Sequence, residues 1–447
     1  MNPFKYINSL SLFGKEGGYM PGLARIKKLL NYLGNPEEGL NIIHLAGTNG
    51  KGSTAAFIEN IYRKAGYKTG LFTSPHFFHF NERIKINGRA ASTYELEEMI
   101  EEVRSAAEKL NQERKYGEAS FFEIITALAF LYFKRHQAEL VILETGLGGR
   151  LDATNVVQNP LLSIITNISL EHTNLLGNTT AEIAEEKAGI IKENSKVLTA
   201  VKDKDALKVI KDKAKSQSAS LYILEEEFAE ISNCSNLDKN HLYLRKNHSD
   251  IKKESQSYEI SLLGRHQAVN AALALKTVEL LQQNFKVGQN DIKAGLASTY
   301  WPGRMQKLGE KPLIIIDAAH NPAAFEELAA SINTAENDFF KINFVFSALN
   351  DKNIEKMLES LKIFEADLKL YLAENSSFRT AALDRLIQAA EKLNFKYESY
   401  DDLSKAAEQA LGHSSEQDLI IAAGSIYTVF ESGITFITKR LRGGKNG

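Results

Sequence analysis

Short apolar runs alternate with longer stretches of three-to-four-residue apolar periodicity along most of this 447-residue chain. The runs at 41–46, 68–73, 139–144, 161–166 and 196–201 are strand-like, and helical spacing fills the intervals between them. Three intervals open on capping boxes, in which a hydroxyl and a glutamate three residues later satisfy the first unpaired N–H groups: Ser92 with Glu95, Ser120 with Glu123, and Thr179 with Glu182. Regular alternation of this kind predicts an α/β fold built on a doubly wound, mostly parallel sheet. Residues 225–263 change character, with polar and charged alternation around Leu242, Leu244, Tyr258, Ile260 and Leu262, and predict a hairpin at a sheet edge. Past Tyr300-Trp301-Pro302-Gly303, whose Pro and Gly mark a linker, a second series runs through 312–317, 341–347, 368–373 and 418–423. Two α/β domains are expected, 1–300 and a smaller one over 301–447. Ligands of open parallel sheets sit beyond the strand ends, so the site is expected between the domains, facing the ends of the first sheet.

Composition narrows the class. Hydrophobic residues make up 43% and charged residues 25%, which is ordinary for a globular chain and argues against disorder. Nothing in a net charge of −2 suggests wholesale nucleic-acid or membrane binding, so anionic ligands must meet local clusters of charge. Cys234 is the single cysteine, which rules out an intramolecular disulfide and suits a reducing cytoplasm. The N-terminus carries no basic segment followed by a long apolar run, so no secretory signal is expected. The most apolar stretch, 124–133, is too short to span a bilayer and reads as a buried helix. The basic stretch 439–445 reads as a frayed end.

The candidate chemistry begins where the run 42–46 breaks into Gly47-Thr48-Asn49-Gly50-Lys51-Gly52-Ser53. Three glycines let backbone N–H groups converge on an anion, Lys51 supplies a point charge, and a helix opening at Ser53 turns its positive end to the same place. ATP or GTP is the first ligand to consider. The spacing departs from G-x-x-x-x-G-K-[ST], because Leu45 holds the first glycine's place and Gly52 separates Lys51 from Ser53. A glycine-rich turn is common in α/β proteins; the complete strand-turn-helix-strand unit around this one favours a nucleoside triphosphate. Fold class is thereby refined to a P-loop-type sheet domain plus a Rossmann-like C-terminal domain.

Lys187 stands out by spacing. Its helical neighbours are Ile183, Ala184, Ile190 and Ile191, so its amine either snorkels to solvent or is buried with a lowered pKa.

Six blocks in order carry a resemblance: 47–53, Thr73-Ser74-Pro75-His76, Asn81-Glu82-Arg83-Ile84, 144–155 (Glu144 to Asn155), 187–192 and Asp317-Ala318-Ala319-His320-Asn321-Pro322. Together they resemble the folylpolyglutamate synthase and dihydrofolate synthase branch of the Mur ligase family, over nearly the whole chain. The resemblance implies ATP-dependent amide formation, in which a carboxylate is phosphorylated and the amine of L-glutamate displaces the phosphate. It implies that Gly47, Thr48, Asn49, Gly50, Lys51, Gly52, Ser53, Asn270, Arg304 and Asp317 bind ATP, and that Lys51, Lys187 and His320 serve catalysis. It implies Mg2+ at two sites, held by Ser74, Glu144, His172 and a carbamylated Lys187, with room for a monovalent cation. Glu171 stands where the family block usually has Asp, and 346–349 lacks a glycine usual there.

In bifunctional relatives, residues matching Ser120, Phe121, Phe122, Glu123, Leu151, Asp152 and Ala153 line a dihydropteroate pocket, and 151–155 resembles the bifunctional bacterial form. For Ser120 and Glu123 the capping box is a rival reading, and Phe121 and Phe122 fit a plain core equally well. Asp317 could simply cap a helix. The expected partners are small molecules: ATP, L-glutamate and dihydropteroate or folates, with no nucleic acid and no membrane, acting on a cytoplasmic monomer. Three alternatives stay open: a single-function folylpolyglutamate synthase, another Mur-type amide ligase, and a P-loop ATPase or switch module.

Overall fold

The computed structural model describes residues 3–10, 22–113, 115–235, 237, 240–246, 256–334 and 339–443. It divides into two compact units, the first made of Met1–Ile231, Leu244–Gln256 and Val269–Thr299, the second of Ser232–Tyr243, Ser257–Ala268 and Tyr300–Gly447.

The first unit is built on an eight-stranded sheet. Its strands are β1 (Ile42–Ala46), β2 (Thr69–Phe72), β3 (Ile84–Ile86), β4 (Arg89–Ala90), β5 (Leu140–Glu144), β6 (Leu162–Ile165), β7 (Lys196–Thr199) and β8 (Ser220–Ile223). They lie in the order β4-β3-β2-β5-β1-β6-β7-β8. Strands β2 and β5 to β8 run parallel with β1 in one set, while β3 and β4 form an antiparallel edge. Helices on both faces explain why β1 and β5 are buried at every position and read as near-continuous apolar runs. With β5 on one side of β1 and β6 on the other, the winding reverses at β1. Loops leaving the carboxyl ends of β1, β5 and β6 therefore meet at this reversal, where open α/β sheets bind ligands.

All three capping boxes form, each closing reciprocally at the start of Thr93–Gln112, Phe121–Arg135 and Thr180–Ala188. Residues 124–133 are buried within the second of these helices, and among the described residues no helix is long and apolar enough to cross a membrane.

The stretch expected to be an edge hairpin is instead a separate sheet of β9 (Phe228–Ser235), β10 (Asn240–Lys246) and β11 (Gln256–Ile260), ordered β11-β10-β9. A two-stranded ribbon is marginal in water; here a third strand joins, and Leu242, Leu244, Tyr258 and Ile260 are all buried. Of the basic stretch expected to fray, 439–443 belongs to the helix Ile426–Gly443, and 444–445 lies outside the described residues.

The second unit holds β12 (Gln306–Glu310), β13 (Leu313–Asp317), β14 (Lys341–Phe346), β15 (Asp367–Ala373), β16 (Lys396–Tyr400) and β17 (Leu419–Ala423), ordered β12-β13-β17-β14-β15-β16. All pairings are parallel except β12 with β13. Phe325, Phe344 and Phe346 meet edge-on or tilted at the centre of its core.

Candidate active site

The glycine-rich loop leaves β1 and enters the helix Lys51–Lys64, which begins two residues earlier than the expected start at Ser53 because Gly50 takes the left-handed cap at φ 83°. Only glycine fits there: a Cβ on Gly50 would lie 2.5 Å from Asn270 Oδ1, and one on Gly47 would overlap Thr166 Oγ1. Residues just past β6 brace the loop. Asn167 accepts the Asn49 N–H at 2.7 Å on its side chain and the Thr48 N–H at 2.9 Å on its carbonyl. Thr166 Oγ1 donates to Asn49 O at 2.7 Å, and Thr48 Oγ1 receives the Ser169 N–H at 3.1 Å. Sequence reasoning missed this brace, although the polar pair Thr166-Asn167 directly after an apolar run was its signal. Lys51 Nζ donates to Gly47 O at 2.8 Å and Thr48 O at 3.0 Å, which keeps its charge on the loop. Asn270 also receives the Thr54 hydroxyl at 3.3 Å, so a side chain more than 200 residues away in sequence stands at the loop's helix end.

Lys187, in the last turn of Thr180–Ala188, is only 5% exposed. Its Nζ donates to the same Gly47 carbonyl at 2.8 Å. Burial, and then the Lys51 charge, pull its pKa down to about 7 against the opposing pull of Glu171 and Asp152. The burial alternative is therefore the one realised, and the snorkelling one is not. Its helix is pinned to the loop after β5: Arg150 N donates to Glu186 O at 2.6 Å, and Asn155 Nδ2 bridges Arg150 O and Gly189 O at 3.0 Å each. Backbones cross so closely that a Cβ on Gly149 would lie 2.8 Å from Glu186 O, and one on Gly189 would overlap Arg150 Cα.

Ser74 and Glu144 come together because β2 and β5 are neighbours: the Ser74 N–H donates to Glu144 Oε2 at 3.1 Å. Glu144 is buried and aligned with Leu45, two residues before the loop begins. Arg83, in the block 81–84, is almost wholly buried, and burial lowers its pKa to about 10 against the raising pull of the Glu144 and Glu82 charges. Arg83 Nε donates to His76 Nδ1 at 2.8 Å, and burial together with this guanidinium lowers His76 to about 4. His172 sits in the left-handed region at φ 51°, with Nε2 4.0 Å from its neighbour Glu171. Among the described residues no three His, Cys, Asp or Glu side chains cluster as a metal cage. Mg2+ typically takes one or two carboxylates beside phosphate and water, so the Ser74 hydroxyl and Glu144 carboxylate fit it, and a His172 nitrogen suits it less.

Asp152 ties the loop after β5 into a knot. Its Oδ2 accepts the N–H groups of Gly146 and Leu147 at 2.9 and 2.8 Å; its Oδ1 accepts Thr154 N and Oγ1 at 3.0 and 2.6 Å. Phe122 packs over this loop so tightly that no Cβ fits on Gly146. Phe121 and Ala153 are buried, while Phe122 and Leu151 are half-buried. Glu123 is fully engaged elsewhere, capping through Ser120 N and Oγ at 2.8 Å each and pairing with Arg25 Nε through both oxygens at 2.8 and 2.9 Å.

In the second unit Asp317 ends β13 and accepts from Met305 N and Ala319 N, both at 2.7 Å. It does not cap the next helix; Asn321 does, receiving the Ala324 N–H at 2.9 Å. Asp317 thus braces the turn that carries Arg304, where Met305 is held at φ 42°. His320 Nδ1 donates to Ala318 O at 2.8 Å.

A glycine-rich loop on a parallel sheet, two lysines converging on it and a second α/β unit fit a nucleotide-dependent ligase of modular build. The family described as the Mur ligase middle domain matches residues 45–278, and the Mur ligase glutamate ligase domain matches 303–426. A dihydrofolate synthase/folylpolyglutamate synthase of Bacillus subtilis is 38% identical over 95% of this chain and 96% of its own. Among solved structures, Escherichia coli FolC in complex with DHPP and ADP superposes with a TM-score of 0.83 at 29% identity, covering 98% of this chain and 97% of that one. Mycobacterium tuberculosis folylpolyglutamate synthase complexed with ADP and AMPPCP gives 0.84 at 30%, covering 93% and 95%. The chain belongs to the dihydrofolate synthase/folylpolyglutamate synthase branch of the Mur ligase family and is an ATP-dependent amide ligase.

Proposed function

We propose that this chain is bifunctional, joining L-glutamate to dihydropteroate and to reduced folates that already carry glutamate. The observation that carries the reading is the pair Lys51 and Lys187 on the Gly47 carbonyl, beside the Asp152 knot that follows Glu144. In support stand the name of the Bacillus subtilis relative and the DHPP and ADP bound to the Escherichia coli structure.

In this reading Gly47 to Ser53 hold the triphosphate, Asn270 meets the adenine, and Arg304 and Asp317 serve the nucleotide from the second unit. An oxygen of the acceptor carboxylate attacks the γ-phosphorus, the bond to ADP breaks, and an acyl phosphate forms. The glutamate amine then attacks the acyl carbon, phosphate leaves with the bonding pair, and the amine gives up its proton; His320 Nε2 is the proposed acceptor. A carboxylate and a triphosphate repel, so the work of the site is to neutralise and align them, and Lys51 steadies the phosphoryl group in transit. Ser74, Glu144 and His172 would hold Mg2+, which would supply further charge neutralisation. Lys187, about half neutral near pH 7, would add CO2 to form a carbamate and release a proton, giving an anion able to hold a second Mg2+. Ser120 to Glu123 and Leu151 to Ala153 line the pterin side, with Glu123 acting through the cap and Arg25 rather than by contact. The lone cysteine supports a cytoplasmic setting, and the enzyme acts as a monomer.

ADP release with ATP, Mg2+ and glutamate tests this reading. Turnover with both dihydropteroate and tetrahydrofolate is expected. Turnover with tetrahydrofolate alone leaves a polyglutamate synthase, competition by UDP-muramyl compounds points to a peptidoglycan-type ligase, and glutamate-independent hydrolysis points to an ATPase switch.

A further inference from the structure

His44 is the middle residue of β1, and the other four are apolar. It is 0% exposed. An imidazole in a sheet interior is costly unless its polar atoms are used, yet Nδ1 has no partner. The other nitrogen, Nε2, lies 2.8 Å from Thr154 Oγ1, and that oxygen lies 2.6 Å from Asp152 Oδ1.

Proton counting fixes the direction of this chain. Both Asp152 oxygens face donors, four in all, so the carboxylate only accepts. Thr154 has one hydroxyl proton and must give it to Asp152. Its oxygen is then an acceptor, and His44 Nε2 must carry the proton that fills it. The ring is thereby the neutral Nε2–H tautomer, in keeping with a pKa lowered to about 3 by burial and by the nearby Lys192 charge.

We propose that His44 is a positioning residue: through Thr154 it fixes the Asp152 carboxylate, and so holds loop 146–154, the pterin side of the site, in register with the phosphate loop that begins three residues further along the same strand. The nucleotide loop and the acceptor-substrate loop thus share one rigid strand, to which Thr145 N is also tied at Leu45 O, 2.9 Å away. This inference rests on the assignment of 151–153 to the pterin made above. An apolar side chain would pack at position 44 as well but could not donate to Thr154.

Three variants test it in the full-length protein with Mg2+. His44→Leu keeps bulk and removes the donor, His44→Gln places an amide N–H near the position of Nε2, and Thr154→Val removes the relay. With His44→Leu the KM for dihydropteroate and for tetrahydrofolate is expected to rise about tenfold while the ATP KM stays within about threefold. His44→Gln should recover most of that loss, and adding His44→Leu to Thr154→Val should change little further. Equal loss of ATP and pterin affinity, no rescue by Gln, or additive losses overturn the proposal.

Should His44→Leu fail to fold, the native ring is read by nitrogen-15 NMR. A neutral Nε2–H signal that shifts in Thr154→Val supports the chain, and an Nδ1–H or charged ring overturns it. Should the wild type release no ADP with either pterin substrate, the functional reading fails on its own. His44 is then judged by amide exchange of residues 146–154, which His44→Leu should speed about tenfold and His44→Gln should not; unchanged exchange overturns it.

Discussion

Lys51 and Lys187 donate to one acceptor, the Gly47 carbonyl, each at 2.8 Å. Two ammonium groups on one oxygen repel, and the buried one yields: Lys187 sits near pKa 7. In the proposed reading Lys51, on the helix end turned to the phosphate, has the charge-neutralising task. Lys51→Met is expected to cut glutamate-dependent ADP release about 100- to 1,000-fold, the usual cost of losing one preorganised charge partner. Urea unfolding should move by no more than about 1 kcal/mol, because the side chain bonds only its own loop.

The same pair predicts a titration. A lysine lowered from 10.5 to about 7 is half neutral near pH 7, and only the neutral amine adds CO2. Carbon-13 NMR in labelled bicarbonate should show one protein carbamate that grows from pH 6 to pH 8 at constant dissolved CO2 and is missing in Lys187→Met. Since Lys51 is the second cause of the depression, Lys51→Met should raise the Lys187 pKa and weaken the signal at pH 7. A carbamate of equal size in both proteins would remove the electrostatic link between the lysines.

What the chain discloses before folding depends on how far each signal reaches. Strands buried on both faces, such as β1 and β5, write themselves as apolar runs. By contrast β12 and β16 are edge strands of the second sheet, half exposed along their length, and have no such run; β3, β4 and β8 escaped for the same reason. Lys51 and Glu144 were legible because a loop and a strand end mark them locally, and Lys187 because an amine interrupts an apolar stripe. Their partners were not. Asn167 reaches the phosphate loop from 118 residues away, Arg25 reaches Glu123 from 98, and His44 hides inside a run whose apolar neighbours make it look like filler. The capping box and the pocket had competed for Glu123; the structure gives its carboxylate to the cap and to Arg25.

Close backbone crossing between two motifs yields a stability prediction. Gly189 lies against Arg150 with no room for a Cβ, and both segments are tied by Asn155. Gly189→Ala is expected to destabilise by about 1–3 kcal/mol in urea and to lower activity further by displacing Lys187. Gly412→Ala is the control, since nothing lies within 4 Å of its added methyl; there helix propensity predicts a gain of up to about 1 kcal/mol.

Acid sensitivity follows from the interior of β1. His44 has a folded pKa of about 3 against an ordinary 6.5, so between those values the unfolded chain binds a proton that the folded one refuses. Stability from this group is complete above pH 6.5 and is lost as pH falls towards 3, at about 1.4 kcal/mol per pH unit. Lys192, the charge that acts on it, has a pKa of about 8 and stays protonated throughout the window. Buried Glu59 and Asp152 act in the opposite sense, since their pKa values are raised and the folded state takes up protons first. The wild-type slope alone therefore mixes signs, and the difference from His44→Gln isolates the imidazole. Urea unfolding at intervals from pH 6.5 to pH 4 should show the variant gaining on the wild type by about 1.4 kcal/mol per unit as pH falls. Parallel curves would mean that His44 takes up its proton in the folded state, so that the ring is a charged donor at both nitrogens and not the neutral Nε2–H tautomer.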